Sequence, residues 1–364
     1  MDSTRQMGSP IGAKMTINGK HVNYFCGTSY YALHGNPQVI AAACRATEEF
    51  GLGPGTIAGV EIYDELEALA KDYFGVEAVT YMASGYLSIS ILLQALHDEF
   101  DVIFVDSASH YCVYDSLRSY QKITFKFNHR NSEDLAAKLS QHVGNNQRPV
   151  IITDGIFPSS GSLAPLDKYS EIMKLYPGAI LCVDDSHGVG VIGPNGRGTL
   201  DHFGLHGPPY FLAGTLSKAF GGFGGIVPSS TILGKKIALN VKLMVGASRP
   251  PIPAAAAACM GLRLLSEQPP LRKILRRNVN HMRQGLAKIG LAIDDSPVPI
   301  VSVNASSDLS KVNKQLESRD IFVHYVPASG YSDAPDYETL RIAVFSTHSI
   351  EQIDYLVASL GELL

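Results

Sequence analysis

Ala179-Ile180-Leu181-Cys182-Val183-Asp184-Asp185-Ser186-His187-Gly188-Val189-Gly190 runs through five apolar residues, stops on two carboxylates, then turns on a histidine and glycines. A strand that is apolar on both sides belongs to a sheet covered on both faces. Six more short runs flank it: AVTYMA (78–83), DVIFVD (101–106), KITFKF (122–127), PVIITDG (149–155), YFLAGT (210–215) and GGIVP (224–228). Amphipathic segments such as SEDLAAKLSQHV and LDKYSEIMKLY lie between several of them. Strands alternating with helices predict an α/β layer: a mostly parallel, seven-stranded sheet flanked by helices.

The rhythm changes after Pro250-Pro251-Ile252-Pro253. PPLRKILRRNVNHMRQGLAKIG reads as one long helix ending at Gly290, followed by strands at 299–304, 321–326 and 340–345 and helices near 308–318 and 349–362. This predicts a smaller α+β C-terminal domain over 249–364, beside a large α/β domain over 46–248. Residues 1–45 carry a hairpin, MTINGKHVNYF, with Asn18-Gly19 as its turn, and are expected to pack with the small domain.

The chain has 364 residues, 45% hydrophobic and 18% charged, and a net charge of −4 with no block of like charges. That balance argues against nucleic-acid binding. No apolar run approaches the roughly 20 residues of a membrane span, and MDSTRQMGSPIGAK lacks the apolar core of a secretory signal. Cys26, Cys44, Cys112, Cys182 and Cys259 are odd in number and form no CxxC pair, which reads as reduced thiols in a cytoplasmic protein without a zinc site.

Five features carry chemistry. Lys218, in TLSKAFGGFG directly after a strand, has small neighbours that leave room for an adduct on its amine, and Thr215 is within reach of a phosphate. The motif alone leaves open a solvated lysine in a glycine-rich loop. Asp184 ends its strand where open α/β sheets bind ligands, with His187 on the same side. A magnesium site or a helix N-cap stays open there. Ser84-Gly85-Tyr86 starts a helix and offers a phosphate seat. His110 follows the strand DVIFVD and suits stacking on a flat ring, and Arg341 in LRIAVFSTH suits a substrate carboxylate. A metal site leaves Lys218 idle, and a nucleotide site lacks GxxxxGK[ST]. A pyridoxal-phosphate (PLP) pocket uses all five: a strand-end acid keeps the pyridine nitrogen protonated, so the ring acts as an electron sink.

TLSKAFGGFG and VDDSHGVGVIGPNGRG together resemble the α-oxoamine synthases, PLP enzymes of the fold-type I aminotransferase architecture, from about Asn23 to Leu364. The resemblance implies that Lys218 forms the Schiff base, Asp184 pairs with the pyridinium nitrogen, His187 lies near the 3′-oxygen and His110 stacks on the ring. It implies that Gly85, Tyr86 and Thr215 serve the phosphate, that Ser248 reaches the phosphate of a neighbouring subunit in a homodimer, and that Arg341 holds the amino-acid carboxylate. The implied reaction condenses an amino acid with an acyl-CoA or acyl-carrier-protein thioester, in most members with loss of CO2, to give an α-aminoketone. An aminotransferase, lyase or racemase is the second reading. A non-catalytic subunit is the third, and retention of Lys218 and Asp184 argues against it.

The chain departs from the family pattern around the substrate. Pro158 in DGIFPSSG stands where the family has a serine, so one cofactor hydrogen bond is lost or is supplied by Ser159 or Ser160. Ser29-Tyr30-Tyr31-Ala32 replaces a substrate-contacting Asn-Tyr-Leu-Gly, with Ser29 the expected substrate contact. Segment 59–67 reads GVEIYDELE, and a common arginine is missing near Gly55. An unusual amino acid, acyl donor or reaction follows as the expectation.

Overall fold

Successive residues of the central strands point to opposite faces, and both faces are filled. In the computed structural model, which describes residues 5–55, 58–268 and 270–364, the strands run β1 Lys14–Ile17, β2 Lys20–Tyr24, β3 Ala78–Met82, β4 Val102–Asp106, β5 Thr124–Phe127, β6 Pro149–Asp154, β7 Ile180–Asp184, β8 Tyr210–Thr215, β9 Gly225–Ser229, β10 Ile300–Val303, β11 Ile321–Phe322, β12 His324–Val326 and β13 Thr339–Ala343. Phe104, Ile151, Leu181 and Val183 enter one apolar core, while Ile103, Val105, Ile152 and Cys182 enter the other. This period of two, apolar on both sides, is what a sheet between two helical layers demands.

Seven strands form the central sheet in the order β3-β9-β8-β7-β6-β4-β5. β9 is antiparallel to β3 and β8, and the other pairs are parallel. The mostly parallel sheet expected from the sequence is the sheet observed. Its parallel strands finish at one edge, and Asp106, Phe127, Asp154, Asp184 and Thr215 are their last residues.

The hairpin β1–β2 turns on Asn18 (φ 51°) and Gly19 (φ 77°), the doubly positive turn that matches strand twist. β2 then pairs in parallel with β11, so the chain's start joins its last third. The run 321–326, read as one strand, is two. β11 bonds β2 while β12 bonds β13, and the chain changes sheet at the fully buried Val323. The helix Ile252–Glu267 opens in the proline-rich stretch and packs on the helices Pro37–Phe50 and Glu61–Phe74. The long helix Pro270–Lys288 contributes Asn278, whose side-chain amide donates to the carbonyls of Phe345, Ser346 and His348 and anchors the end of the tail sheet.

Asp185, fully buried after β7, is the hinge of the turn that shapes the site. Its Oδ2 accepts from Thr199 N at 2.5 Å. A Cβ at Gly188 would stand 2.0 Å from its Oδ1, so the chain closes on this carboxyl only because no side chain is there. The second aspartate of the pair is thus a packing residue. Gly188→Ala is expected to lower unfolding free energy by about 1–3 kcal/mol through overpacking. A chemical-denaturation midpoint checks it, with Gly53→Ala, whose Cβ would meet nothing within 4 Å, as the neutral control.

Candidate active site

The strand ends surround a cavity of about 1150 Å³. Lys218, Asp184, His187, Thr215 and Arg341 line it, as do Gly85, Tyr86 and His110. Eight of the ten residues singled out in the sequence therefore share one space. Ser29 and Ser248 do not line it. Ser29 is buried with its hydroxyl 2.6 Å from His34 Nδ1, and the exposed Ser248 lines a second hollow with Gly55, Tyr63 and Arg249.

The Lys218 amine has no hydrogen bond or ion pair to another described residue. Burial pushes its pKa below the ordinary lysine value, against the pull of Asp184, Cys112 and Asp154. A desolvated amine of that kind is a nucleophile. Asp184 Oδ1 accepts from Ser186 N at 3.1 Å, and Oδ2 accepts from Cys112 Sγ at 3.1 Å. Burial, reinforced by Asp184, keeps the Cys112 thiol protonated, so it remains a donor. The same sulfur lies 2.9 Å from His110 Nδ1, linking the acid to the ring expected to stack.

His110 caps the helix Tyr111–Leu117: its Nδ1 accepts from Cys112 N at 3.2 Å. Its Nε2 meets Tyr331 Oη at 2.9 Å. Burial lowers its pKa despite Asp184, giving a neutral ring. Burial, helped by Lys218 and Arg341, drives the His187 pKa well down, and its Nδ1 lies 2.7 Å from Tyr30 Oη.

The helix Gly85–Ala95 begins against the end of β8, where a Cβ on Gly85 would stand 2.6 Å from Thr215 Oγ1. Ser84 Oγ accepts from Tyr86 N, and the Tyr86 hydroxyl donates to Asp115. The Thr215 hydroxyl donates to Gly224 O (2.8 Å) and lies 3.0 Å from Ser217 Oγ. Ser217 Oγ accepts from Gly224 N at 2.9 Å, and Ser217 lines the cavity.

Arg341 is buried without a carboxylate partner among the described residues. Its Nε donates to Pro158 O (2.6 Å) and its Nη1 to Gly27 O (3.2 Å). A cation so placed has capacity for an anion. Pro158 is thereby held by its carbonyl. Ser159 N (2.9 Å), Ser160 N (2.8 Å) and Ser160 Oγ (3.0 Å) donate to the buried Asp333. The Ser160 hydroxyl is thus committed, whereas that of Ser159 bonds no described residue and lines the cavity.

Sequence reasoning does not single out several residues here. Asp154 ends β6 as Asp184 ends the adjacent β7, so the same strand-end rule finds it. Burial and Asp184 raise its pKa well above the carboxylate range, which makes it the protonated member of the pair. Tyr30 lies in the segment 29–32 already read against the family pattern, whereas Tyr331 and Asp333 have no local signal, because loops bring them in from distant sequence.

This set fits PLP: an unpaired, half-buried amine, an acid at hydrogen-bonding depth, a neutral imidazole for the ring, and a helix start with a serine hydroxyl for the phosphate. The family model for aminotransferase class I and II matches residues 29–360. The chain is 32% identical to an 8-amino-7-oxononanoate synthase of Coprothermobacter proteolyticus, over 97% of this chain and 91% of that one. It is 34% identical to the same-named protein of Thermosipho melanesiensis, over 96% and 90%. In fold it is similar to a Sphingomonas wittichii serine palmitoyltransferase, with a TM-score of 0.90 at 24% identity over 99% of this chain and 91% of that one. With the match covering nearly the whole chain and the lysine, acid and histidines gathered in one cavity, the protein belongs to the aminotransferase class I and II family, on its α-oxoamine synthase branch.

Proposed function

We propose that the chain is a PLP-dependent acyltransferase that condenses an amino acid with an acyl thioester, from coenzyme A or a carrier protein, to give an α-aminoketone. The observation that carries this reading is the pairing of a half-buried, unpartnered Lys218 amine with a buried Arg341 that has no carboxylate partner among the described residues, both in one cavity. The first suits covalent capture of an aldehyde, and the second suits capture of a carboxylate.

PLP, when bound, supplies delocalisation of the charge left at the amino acid's Cα. Lys218 Nζ would hold it, and Asp184 would keep its ring nitrogen protonated. His110 would lie against the ring, with His187 at its phenolic oxygen. Gly85, Tyr86, Thr215 and Ser217 would seat its phosphate. Arg341 would orient the amino acid by its carboxylate, and Lys218 Nζ, once free, would take the α-proton. Tyr30 would fix the tautomer of His187 through Nδ1, leaving the Nε2 proton for the site. Cys112 would steady the Asp184 carboxylate.

We further propose a homodimer in which Ser248, exposed and outside its own cavity, serves the neighbouring subunit's phosphate. Five unpaired cysteines support a cytoplasmic setting, and among the described residues no helix is long and apolar enough to cross a membrane.

Three outcomes are expected. With a panel of amino acids and short and long acyl thioesters, ketone or CO2 appears only when a thioester is present. Production of a 2-oxo acid without thioester would favour transamination instead, and a strong glycine or serine preference would refute an unusual amino acid. Borohydride trapping of added PLP is lost in Lys218→Ala. In the wild type, its rate rises with pH through a midpoint below the ordinary lysine value of about 10.4, because the neutral amine reacts and burial favours it. Arg341→Ala raises KM for the amino acid about 30-fold or more, as removal of a buried charge contact costs about 2 kcal/mol or more, while KM for the thioester changes little.

A further inference from the structure

The segment Ser29–His34 touches the turns after both β7 and β8. Tyr31 Oη donates to Gly190 O at 2.7 Å, Tyr30 Oη meets His187 Nδ1, and His34 Nε2 lies 3.0 Å from Ser217 O. A carbonyl only accepts, so Nε2 carries the proton. Burial lowers the His34 pKa, so the ring is neutral and Nδ1 accepts. Its partner at 2.6 Å is the hydroxyl of Ser29, 1% exposed, which must then be the donor. The polarity of the chain is fixed from end to end: Ser29 hydroxyl to His34 Nδ1, His34 Nε2 to Ser217 O.

That last carbonyl belongs to the peptide bond joining Ser217 to Lys218. The carbonyl of Lys218 itself accepts only a long bond from Gly221 N, at 3.3 Å. A second contact is independent of the imidazole. Gly221 packs its backbone on the same segment, where a Cβ would stand 2.5 Å from Leu33 Cβ and 2.9 Å from His34 N. The Lys218 turn is thus braced from outside by Leu33 and His34, in the segment that begins with the departure Ser29–Ala32.

We propose that Ser29 and His34 are positioning residues for Lys218. They form a directional hydrogen-bond relay that fixes the peptide plane before the lysine and so aims its amine into the cavity. This rests on reading Lys218 as the amine that takes the PLP aldehyde. In this role Ser29 acts through His34 and does not touch substrate.

The test compares wild type, His34→Leu, His34→Gln, Ser29→Ala and Lys218→Ala. Each is incubated with pyridoxal phosphate across a pH series, trapped with borohydride and weighed, and its melting temperature is recorded. His34→Leu is expected to attach PLP about five- to tenfold more slowly, with a displaced pH midpoint, as one well-aligned hydrogen bond is lost. His34→Gln, whose amide nitrogen can donate to the same carbonyl, recovers at least half of the loss. Ser29→Ala loses about two- to threefold, since the imidazole is then free to turn. Wild-type rate and pH midpoint in His34→Leu would overturn the proposal. So would equal impairment of His34→Leu and His34→Gln with matching falls in melting temperature, the pattern of a merely structural residue. Attachment by Lys218→Ala as fast as by wild type would overturn the reading of Lys218 itself, and the proposal with it.

Discussion

A desolvated ε-amine without a counter-ion among the described residues is the condition that the rest of the site serves. Moving a charged ammonium out of water is costly, and the protein meets that cost by favouring the neutral form of Lys218. Two carboxyls stand nearby on adjacent strands, and burial, reinforced by the neighbouring Asp184, raises the Asp154 pKa and keeps it protonated. The Asp184 carboxyl, held by a thiol and a backbone amide, lines the same cavity as that amine. The glycine-lined turn on Asp185 holds the end of β7 in place so that this arrangement is reproducible from molecule to molecule.

Much of this was legible in the residues. The seven central strands, the Asn18-Gly19 hairpin and the long tail helix follow from period and turn chemistry, because those signals are local. Lys218, Asp184, His187 and His110 follow from their offsets after strands whose ends must share an edge. What was not legible depends on long-range approach. Tyr331 reaches His110, and Asp333 reaches the amides of Ser159 and Ser160, across more than 170 residues. Likewise nothing in IFVHYV announces that Val323 is where the chain leaves one sheet for another. Ser29 was read from a family position, and its partner, His34, is five residues on, where the family pattern gave no reason to look.

The departure at Pro158 acquires a physical account. The loop that carries it is gripped by two groups from the tail: Arg341 takes the carbonyl of Pro158, and Asp333 takes the amides that follow. A proline donates nothing, so the loop keeps its acceptor for the arginine and surrenders its donors to the aspartate. The free hydroxyl at Ser159 is left facing the cavity in place of the serine the family pattern would have supplied. Substrate recognition and loop anchoring therefore share a guanidinium, which couples the orientation of Arg341 to the shape of the wall beside it.

The parallel pairing of β2 with β11 has a bearing on biosynthesis. Nearly three hundred residues separate Asn23 from Ile321, and the two strands bond directly. A nascent chain that has already made the lysine turn and its acid still lacks the strand that pairs with the first hairpin, the arginine, and the tyrosine that meets His110. Contacts of such sequence separation form late. A ribosome-bound intermediate that lacks these tail strands would thus carry an open, half-walled cleft.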